Sequence, residues 1–393
     1  MTSGLHSQQS APVSKHAHDL HFHSIVIDTH DDTTQRLVYD HFDLDHLDCQ
    51  GSIDIPRMRS GGLGGIFFSI YTPGTLTGSA AVKAVIDQID SVRQQVWKHP
   101  RKLALCTTAE EVRAAHAQGK IAALMGLEGG HMIDNDLGVL RSYAALGVRY
   151  MTLTHGINSD WADSSTDKPA HNGLTDFGKD VVREMNRLGV IVDISHVSDK
   201  TFYDALAVSQ APLIASHSSC RALCNAARNM SDEMIKALAA KGGVIQINYH
   251  VGFLSQEYRE ASDKLSEEEK KASDAELKKR CGDNESCKVI EGEKMARQAV
   301  AQGKLPRVGW ETIIDHIDHA VKLVGADHVG LGSDFDGANM PFGMEDATHL
   351  PEITHALLDR GYSDSDIQKI LGGNTLRVMQ EVEAAARRLG GQQ

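Results

Sequence analysis

Eight short apolar segments, most of them rich in β-branched residues, recur along this chain, and nearly all are separated by stretches with helical periodicity. They are 24–30 (SIVIDTH), 64–71 (GGIFFSIY), 121–129 (IAALMGLEG), 148–155 (VRYMTLTH), 190–196 (VIVDISH), 212–218 (PLIASHS), 242–249 (GGVIQINY) and 328–337 (HVGLGSDFDG). The helical stretches are 80–98, 108–118, 174–188, 198–208, 231–240, 309–324 and 363–389. Strands alternating with helices form parallel sheets buried on both faces, so they read as continuous apolar runs. Eight such units predict an α/β fold, a closed (β/α)8 TIM barrel. Periodicity alone leaves a doubly wound open sheet as the alternative.

The 393 residues, 41% of them apolar, suffice for one barrel with a sizeable core. Residues 1–22 are polar and read as a flexible N-terminal arm, leaving 23–390 as a single catalytic barrel domain. One segment breaks the rhythm: 255–305 is crowded with Glu, Lys, Asp and Ser and predicts a charged helical insertion. A solvated excursion is the preferred reading of it, and a lid is the sharper alternative.

A net charge of −13 argues against nucleic acid or an anionic membrane as partner. No apolar run approaches the ~18 residues of a membrane span. The first 20 residues lack the apolar core of a signal peptide. The expectation is a soluble chain, cytoplasmic as it stands and exported or periplasmic if a leader has been removed. Among six cysteines, Cys281 and Cys287 flank a short polar turn that suits a small disulfide loop in an exported chain. Cys220 and Cys224 read as buried small hydrophobes.

Twenty-one histidines direct attention to metal chemistry. His6, His16, His18, His21 and His23, and further on His316, His319 and His349, read as surface residues. The others of interest stand where the predicted strands end: His30 and Asp32, Glu128, His155, His196, His217, and Asp334 with Asp336. In a (β/α)8 barrel those ends converge on one face. Burying so many polar groups without a compensating ion is unfavourable by several kcal/mol. His30 and Asp32 lie two apart, on one face of a strand, and offer a nitrogen and an oxygen suited to zinc. Glu128 has two oxygens with which to bridge two cations, and His196 and His217 complete a second site. Two zinc ions about 3.5–4 Å apart would hold a hydroxide and lower its pKa.

Several segments in order resemble the membrane (renal) dipeptidase family of binuclear zinc hydrolases, peptidase family M19. They are I-D-T-H-D-D, D-I-P-R-M-R-S-G-G-L-G-G-I-F-F-S-I-Y-T-P, L-E-G-G-H, L-T-H-G-I-N-S-D-W-A-D, D-I-S-H-V-S, S-H-S-S, A-A-R-N-M, G-S-D-F-D-G and G-G-N-T-L-R-V, across about residues 24–380. The resemblance implies a barrel of the metallo-dependent hydrolase type and a metallopeptidase holding two Zn2+ per chain. It implies His30 and Asp32 as ligands of the first metal, Glu128 as the bridge, and His196 and His217 as ligands of the second. It makes His155 the residue that contacts substrate and steadies the tetrahedral intermediate. Arg228 is placed by the substrate carboxylate, and Asp334 is the proton-handling aspartate. Tyr249 corresponds to a pocket tyrosine. The implied reaction is attack of a metal-held hydroxide on the peptide bond of a free dipeptide, with tolerance for a D-residue at the C-terminal side. Another amide or lactam hydrolase on the same scaffold is the alternative, and an inactive metal-bearing binding protein a further one. A homodimer is compatible with the sequence. Asp28 and Asp193 read as hydrogen-bond acceptors behind the ligands, His131 as an orienting or structural residue, Asp336 as a loop residue, and Asp163, on the loop after the fourth strand, as a residue that lines the pocket. Trp161 either lines the pocket or packs in the core.

Overall fold

The computed structural model describes residues 13–47 and 50–390. Nine parallel strands form its sheet: β1 (Val26–Asp31), β2 (Leu63–Tyr71), β3 (Leu103–Leu105), β4 (Ile121–Glu128), β5 (Val148–Thr152), β6 (Ile191–Asp193), β7 (Ile214–Ser218), β8 (Val244–Ile247) and β9 (Val329–Leu331). β1, β2, β4, β5, β6, β7, β8 and β9 pair in that order, and β9 returns to β1. The eight expected segments are these eight strands, and the closed (β/α)8 barrel is the observed architecture. The ninth strand, β3, was not expected. It pairs with residues 121–123 of β4, below the point where β5 begins its pairing at Met125. Three residues are too few to show a period.

Side chains alternate across each strand. On β4, Ile121, Ala123, Met125 and Leu127 belong to the core between sheet and helices. Ala122 and Leu124 face the barrel interior with Phe67 and Tyr150. Glu128 continues that inward column to the rim, where Ser69 of β2 donates a hydrogen bond to it. Leu376, Met379 and Val382 of helix Asn374–Arg388 share this inner cluster with Ile27, Ile214 and Val244 near the strand starts. The interior is therefore filled largely with apolar groups up to its C-terminal end, Gln246 being served inside by the Thr375 hydroxyl, and at that end polar groups take over.

The helices lie where periodicity puts them, with one interruption. The stretch 363–389 is split into Asp364–Gln368 and Asn374–Arg388 around Gly372. A Cβ at Gly372 would run into the Ile25 carbonyl, so glycine permits the chain to pass against β1. Starts are set by caps: the side chains of Thr175, Ser198, Ser231 and Ser266 each accept from a backbone N–H of the first turn.

Two expectations about the surface are corrected. Residues 15–22 are no loose arm: helix Lys15–His23 is capped by Ser14 and buries Ala17, Leu20 and His21. His21 bonds the Gly61 carbonyl and the Thr354 hydroxyl. Residues 1–12, with His6, lie outside the described residues, as does Cys49. His316 is also buried, accepting from the Cys220 N–H through Nδ1 and donating through Nε2 to the Leu254 carbonyl. A ring satisfied at both nitrogens is compatible with the interior, and exposure cannot be read from residue type.

The insertion comprises helices Gln256–Asp263, Glu267–Cys281 and Glu285–Ala301, after a short turn of helix Val251–Leu254 that follows β8. Helix Glu267–Cys281 has no buried residue. Cys281 and Cys287 are joined by a disulfide between the last two helices.

Candidate metal centre and active site

The two oxygens of Glu128 face different donors. Oε2 lies 3.4 Å from His30 Nε2, which is itself 3.7 Å from Asp32 Oδ2. Oε1 lies 3.0 Å from His196 Nε2, 3.3 Å from His217 Nε2 and 3.6 Å from His155 Nε2. Sets of three donor atoms, namely His30, Glu128 and His217, then Glu128, His155 and His196, then His30, Asp32 and Asp334, each fall within 4.8 Å of one another. The chemistry of this set fits divalent cations. His30 Nε2, Asp32 Oδ1 and His196 Nδ1 are buried with no hydrogen-bond partner among the described residues, and native proteins rarely leave such groups unserved. Burial holds His196 and His217 well below the usual histidine range, in the neutral form that ligates metal. Burial opposes charge on His30 too, but Tyr150, Glu128 and Asp32 outweigh it and raise this histidine well above its ordinary value. That corner of the site demands positive charge. Burial likewise opposes ionisation of Glu128, yet His30, His155, His196 and His217 hold its carboxyl well below the carboxylate range.

Several of the donors are fixed from behind, as metal ligands require. His30 Nδ1 meets the Tyr150 hydroxyl at 2.7 Å. His217 Nδ1 meets the Ser216 hydroxyl at 2.7 Å, and that hydroxyl donates to Asp193 Oδ2, also at 2.7 Å. Asp193 accepts further from the N–H groups of Ser195 and Ser216. Asp28 accepts from the N–H groups of His30 and Ser333, steadying the backbone of the first ligand. Asn248 donates to Asp334 Oδ2 at 2.8 Å. Burial, with Asp32 and Glu128 adding to it, pushes Asp334 up to about 7 against the pull of His30 and Asn248. His196 and Asp334 both have φ of 67°, a left-handed conformation uncommon for such residues. Gly337 has no side chain for a related reason: a Cβ there would collide with the Asp32 carboxylate and crowd that of Asp334.

These groups open into a cavity of about 390 Å3, whose walls include His155, Arg228, His250, Phe253 and Tyr71. Such a volume suits a small ligand. Arg228 is buried rather than solvent-exposed. Its guanidinium donates to the His217 carbonyl at 3.1 Å and lies 5.3 Å from the Phe253 ring centroid, and its Nε has no partner among the described residues. Burial draws it down to about 10. His155 packs between the rings of Tyr71 and His196, at 4.7 and 4.4 Å.

Tyr249 does not line the cavity, and the expectation that it contacts substrate is corrected. Asn248 reaches the site, so the alternation of a strand turns Tyr249 away, into the core against Phe335. His250 and Phe253 are the wall residues there. Trp161 is core, packed edge-on to Phe177, while Asp163 gathers the N–H groups of Ala170, His171 and Gly173. His131 bonds the Thr72 hydroxyl, and Asp336 ties Thr33 and Ser52 together. Sequence reasoning passed over Tyr150, Ser69, Ser216 and Asn248. The signal open to it was strand parity, since each lies on the inward face. It also undervalued the insertion: Glu285, Lys288, Val289 and Gly292 of helix Glu285–Ala301 line the cavity, so the solvated excursion is overturned for that helix.

The chain matches the membrane dipeptidase family, peptidase family M19, over residues 14–393. It is 33% identical over 349 residues to dipeptidase 3 of Mus musculus, covering 87% of this chain and 60% of that protein. The chain thus spans about three fifths of that relative's length. The crystal structure of the probable dipeptidase PvdM from Pseudomonas aeruginosa is similar with a TM-score of 0.78 at 30% identity, covering 95% of this chain and 98% of that one. A metallo peptidase from Rhodobacter sphaeroides, liganded with a phosphinate mimic of the dipeptide L-Ala-D-Ala, is similar with a TM-score of 0.74 at 26% identity, covering 91% and 99%.

Proposed function

The chain belongs to the membrane dipeptidase family, and from that premise we propose that it hydrolyses the peptide bond of free dipeptides with two zinc ions. The observation that carries this reading is Glu128, whose two oxygens face separate sets of nitrogen and oxygen donors at the mouth of the barrel. His30 and Asp32 would hold one ion, His196 and His217 the other, and Glu128 both. Bound there, the ions supply Lewis acidity towards the scissile carbonyl and bring the pKa of water towards neutrality.

The chain's own residues do the rest. Arg228 receives the C-terminal carboxylate, since a guanidinium meets a carboxylate in a two-pronged, charge-assisted contact. Its position over Phe253 and against the His217 carbonyl supports this role. His155, on the cavity wall beside Glu128 Oε1, donates to the carbonyl oxygen as negative charge develops on it. Asp334, oriented by Asn248, takes a proton on the attacking side and delivers it to the leaving amine. The Rhodobacter sphaeroides protein binds a mimic of L-Ala-D-Ala, which supports acceptance of a D-residue at the C-terminal side here.

Metal analysis of the purified chain should find two divalent ions per chain, and a value of one or fewer overturns the binuclear reading. A dipeptide and its C-terminal amide, assayed side by side, test dipeptide selection. Arg228→Ala should lower kcat/KM for the dipeptide by roughly 10- to 100-fold and spare the amide, the scale of lost charge-assisted bonds. Equal loss on both substrates would remove Arg228 from carboxylate recognition.

A further inference from the structure

Four residues of the cavity wall come from outside the barrel: Glu285, Lys288, Val289 and Gly292. Their spacing of three, four and seven residues from the first is that of one helical face. Helix Glu285–Ala301 therefore turns a whole face to the candidate site. Its first turn is anchored on three counts. Asn284 caps it by accepting from the Cys287 N–H, and donates its own amide to Asp40 Oδ1 at 2.9 Å. The Ser286 hydroxyl donates to Asp40 Oδ2 at 2.8 Å. The disulfide binds Cys287 to Cys281. Asp40 caps helix Thr33–Tyr39, which begins directly after Asp32. The wall is thus tied to the segment that carries the first ligand pair.

This face bears a charge that the chemistry leaves unused. Arg228 and Lys288 are the lysine and arginine side chains of the cavity wall, and they stand on different elements. On the reading given above, Arg228 takes the C-terminal carboxylate. Lys288 Nζ lies 2.7 Å from Glu285 Oε1, and the two side chains are 32% and 24% exposed. An ion pair this open to water is weak, so an incoming carboxylate can replace Glu285 readily. A cavity with two cations on separate walls suits a substrate with two separate anionic groups. We propose that Lys288 reads an acidic side chain on the dipeptide, so that the protein favours dipeptides containing Asp or Glu over their neutral isosteres, with Glu285 as an internal competitor for the same ammonium group.

The proposal rests on the dipeptidase reading, and its test separates the two. The zinc-loaded full chain is assayed on Asp-Ala against Asn-Ala and on Ala-Asp against Ala-Asn, and the acid-to-amide ratio of kcat/KM is recorded. Lys288→Met should lower that ratio in at least one pair by roughly 5- to 20-fold, less than for a fully buried charge because the wall is partly in water. Glu285→Gln frees the ammonium group and should raise the same ratio by about two- to threefold. Opposite movement by the two variants is the signature, because a pair that merely props the helix would move both ratios the same way. Ratios that do not move, or that move together, overturn the proposal. The same ratio is read as dissociation constants by titration calorimetry. If no dipeptide is cleaved, the hydrolytic reading falls, and the calorimetric ratios still decide the role of Lys288.

Discussion

On the barrel side of the cavity, His30 and His217 are 0% and 1% exposed and Glu128 is 4% exposed; His30 and Glu128 are held by partners on other strands, and His217 by the neighbouring Ser216, itself bonded to Asp193 of another strand. On the insertion side, Glu285 and Lys288 are about a quarter to a third exposed and bond each other within one helix turn. The first region is dry, over-determined and strained at His196 and Asp334. The second is wet and loosely charged; its helix is held at the start by Asp40 and further along by Arg297, which donates to Glu345 and to the Met340 carbonyl. The contrast separates two tasks. Groups that must meet developing charge act best in a low dielectric where nothing has to reorganise. Groups that distinguish one substrate from another can exchange partners in water with little loss. Substitutions in the barrel should therefore abolish turnover, while those in the insertion should redistribute it among substrates.

The largest effect is expected at Glu128. Glu128→Gln removes the anion that four histidines surround, and an amide offers only one acceptor oxygen. Activity should fall by roughly 10³-fold or more, beyond the 10- to 100-fold that accompanies loss of an orienting partner, and at least one metal should be lost. Wild-type metal content with near wild-type rate would show that Glu128 bridges nothing.

Tyr150→Phe comes next. The hydroxyl deleted is the partner of His30 Nδ1, at 2.7 Å and fully buried. The ring is retained, so packing against Phe67 persists. Metal affinity or kcat should drop about 10- to 100-fold, with zinc titration as the readout. Unchanged affinity would mean that the barrel wall alone orients His30, and the dry side would be less dependent on its hydrogen bonds than the contrast requires.

How far each region was legible follows from the same physics. The eight barrel strands were readable because both their faces are buried, which forces unbroken apolar runs ending in polar residues. His30, Asp32, Glu128, His155, His196, His217 and Asp334 stood out because a polar residue at the end of such a run needs a reason. Their partners did not stand out. Tyr150 in VRYMT is an ordinary strand aromatic until parity places it inside, and Ser69 and Asn248 carry no motif. Tyr249 was misassigned for want of the same parity, one residue from Asn248. The insertion was opaque because EEEKKASDAELKK is polar all round, and nothing local says which helix will lean over the site. What decides it is the contact of Asn284 and Ser286 with Asp40, some 240 residues away in sequence.

The smallest effect should come from opening the disulfide, and it tests whether the wall is held or merely rests in place. Replacing both cysteines, Cys281→Ser with Cys287→Ser, releases a loop only six residues long in sequence separation. Closing so short a loop contributes about 2 kcal/mol in the chain-entropy view, and here that constraint acts on helices with few buried residues. The barrel core does not contain these cysteines, so global unfolding should shift by only a few degrees. Local opening should respond more strongly: backbone amides of 267–300 should exchange with solvent faster, because the helix start then depends on Asp40 and on the exposed Arg280–Glu291 ion pair. The kcat for a neutral dipeptide should stay within about twofold, since no group at the metal site moves. The acid-to-amide ratio should fall by about threefold, as a less constrained Lys288 loses part of its alignment. A fall in kcat for neutral dipeptides as large as that from Tyr150→Phe would mean that the insertion takes part in the chemistry itself, and the division between a reacting floor and a reading wall would not hold.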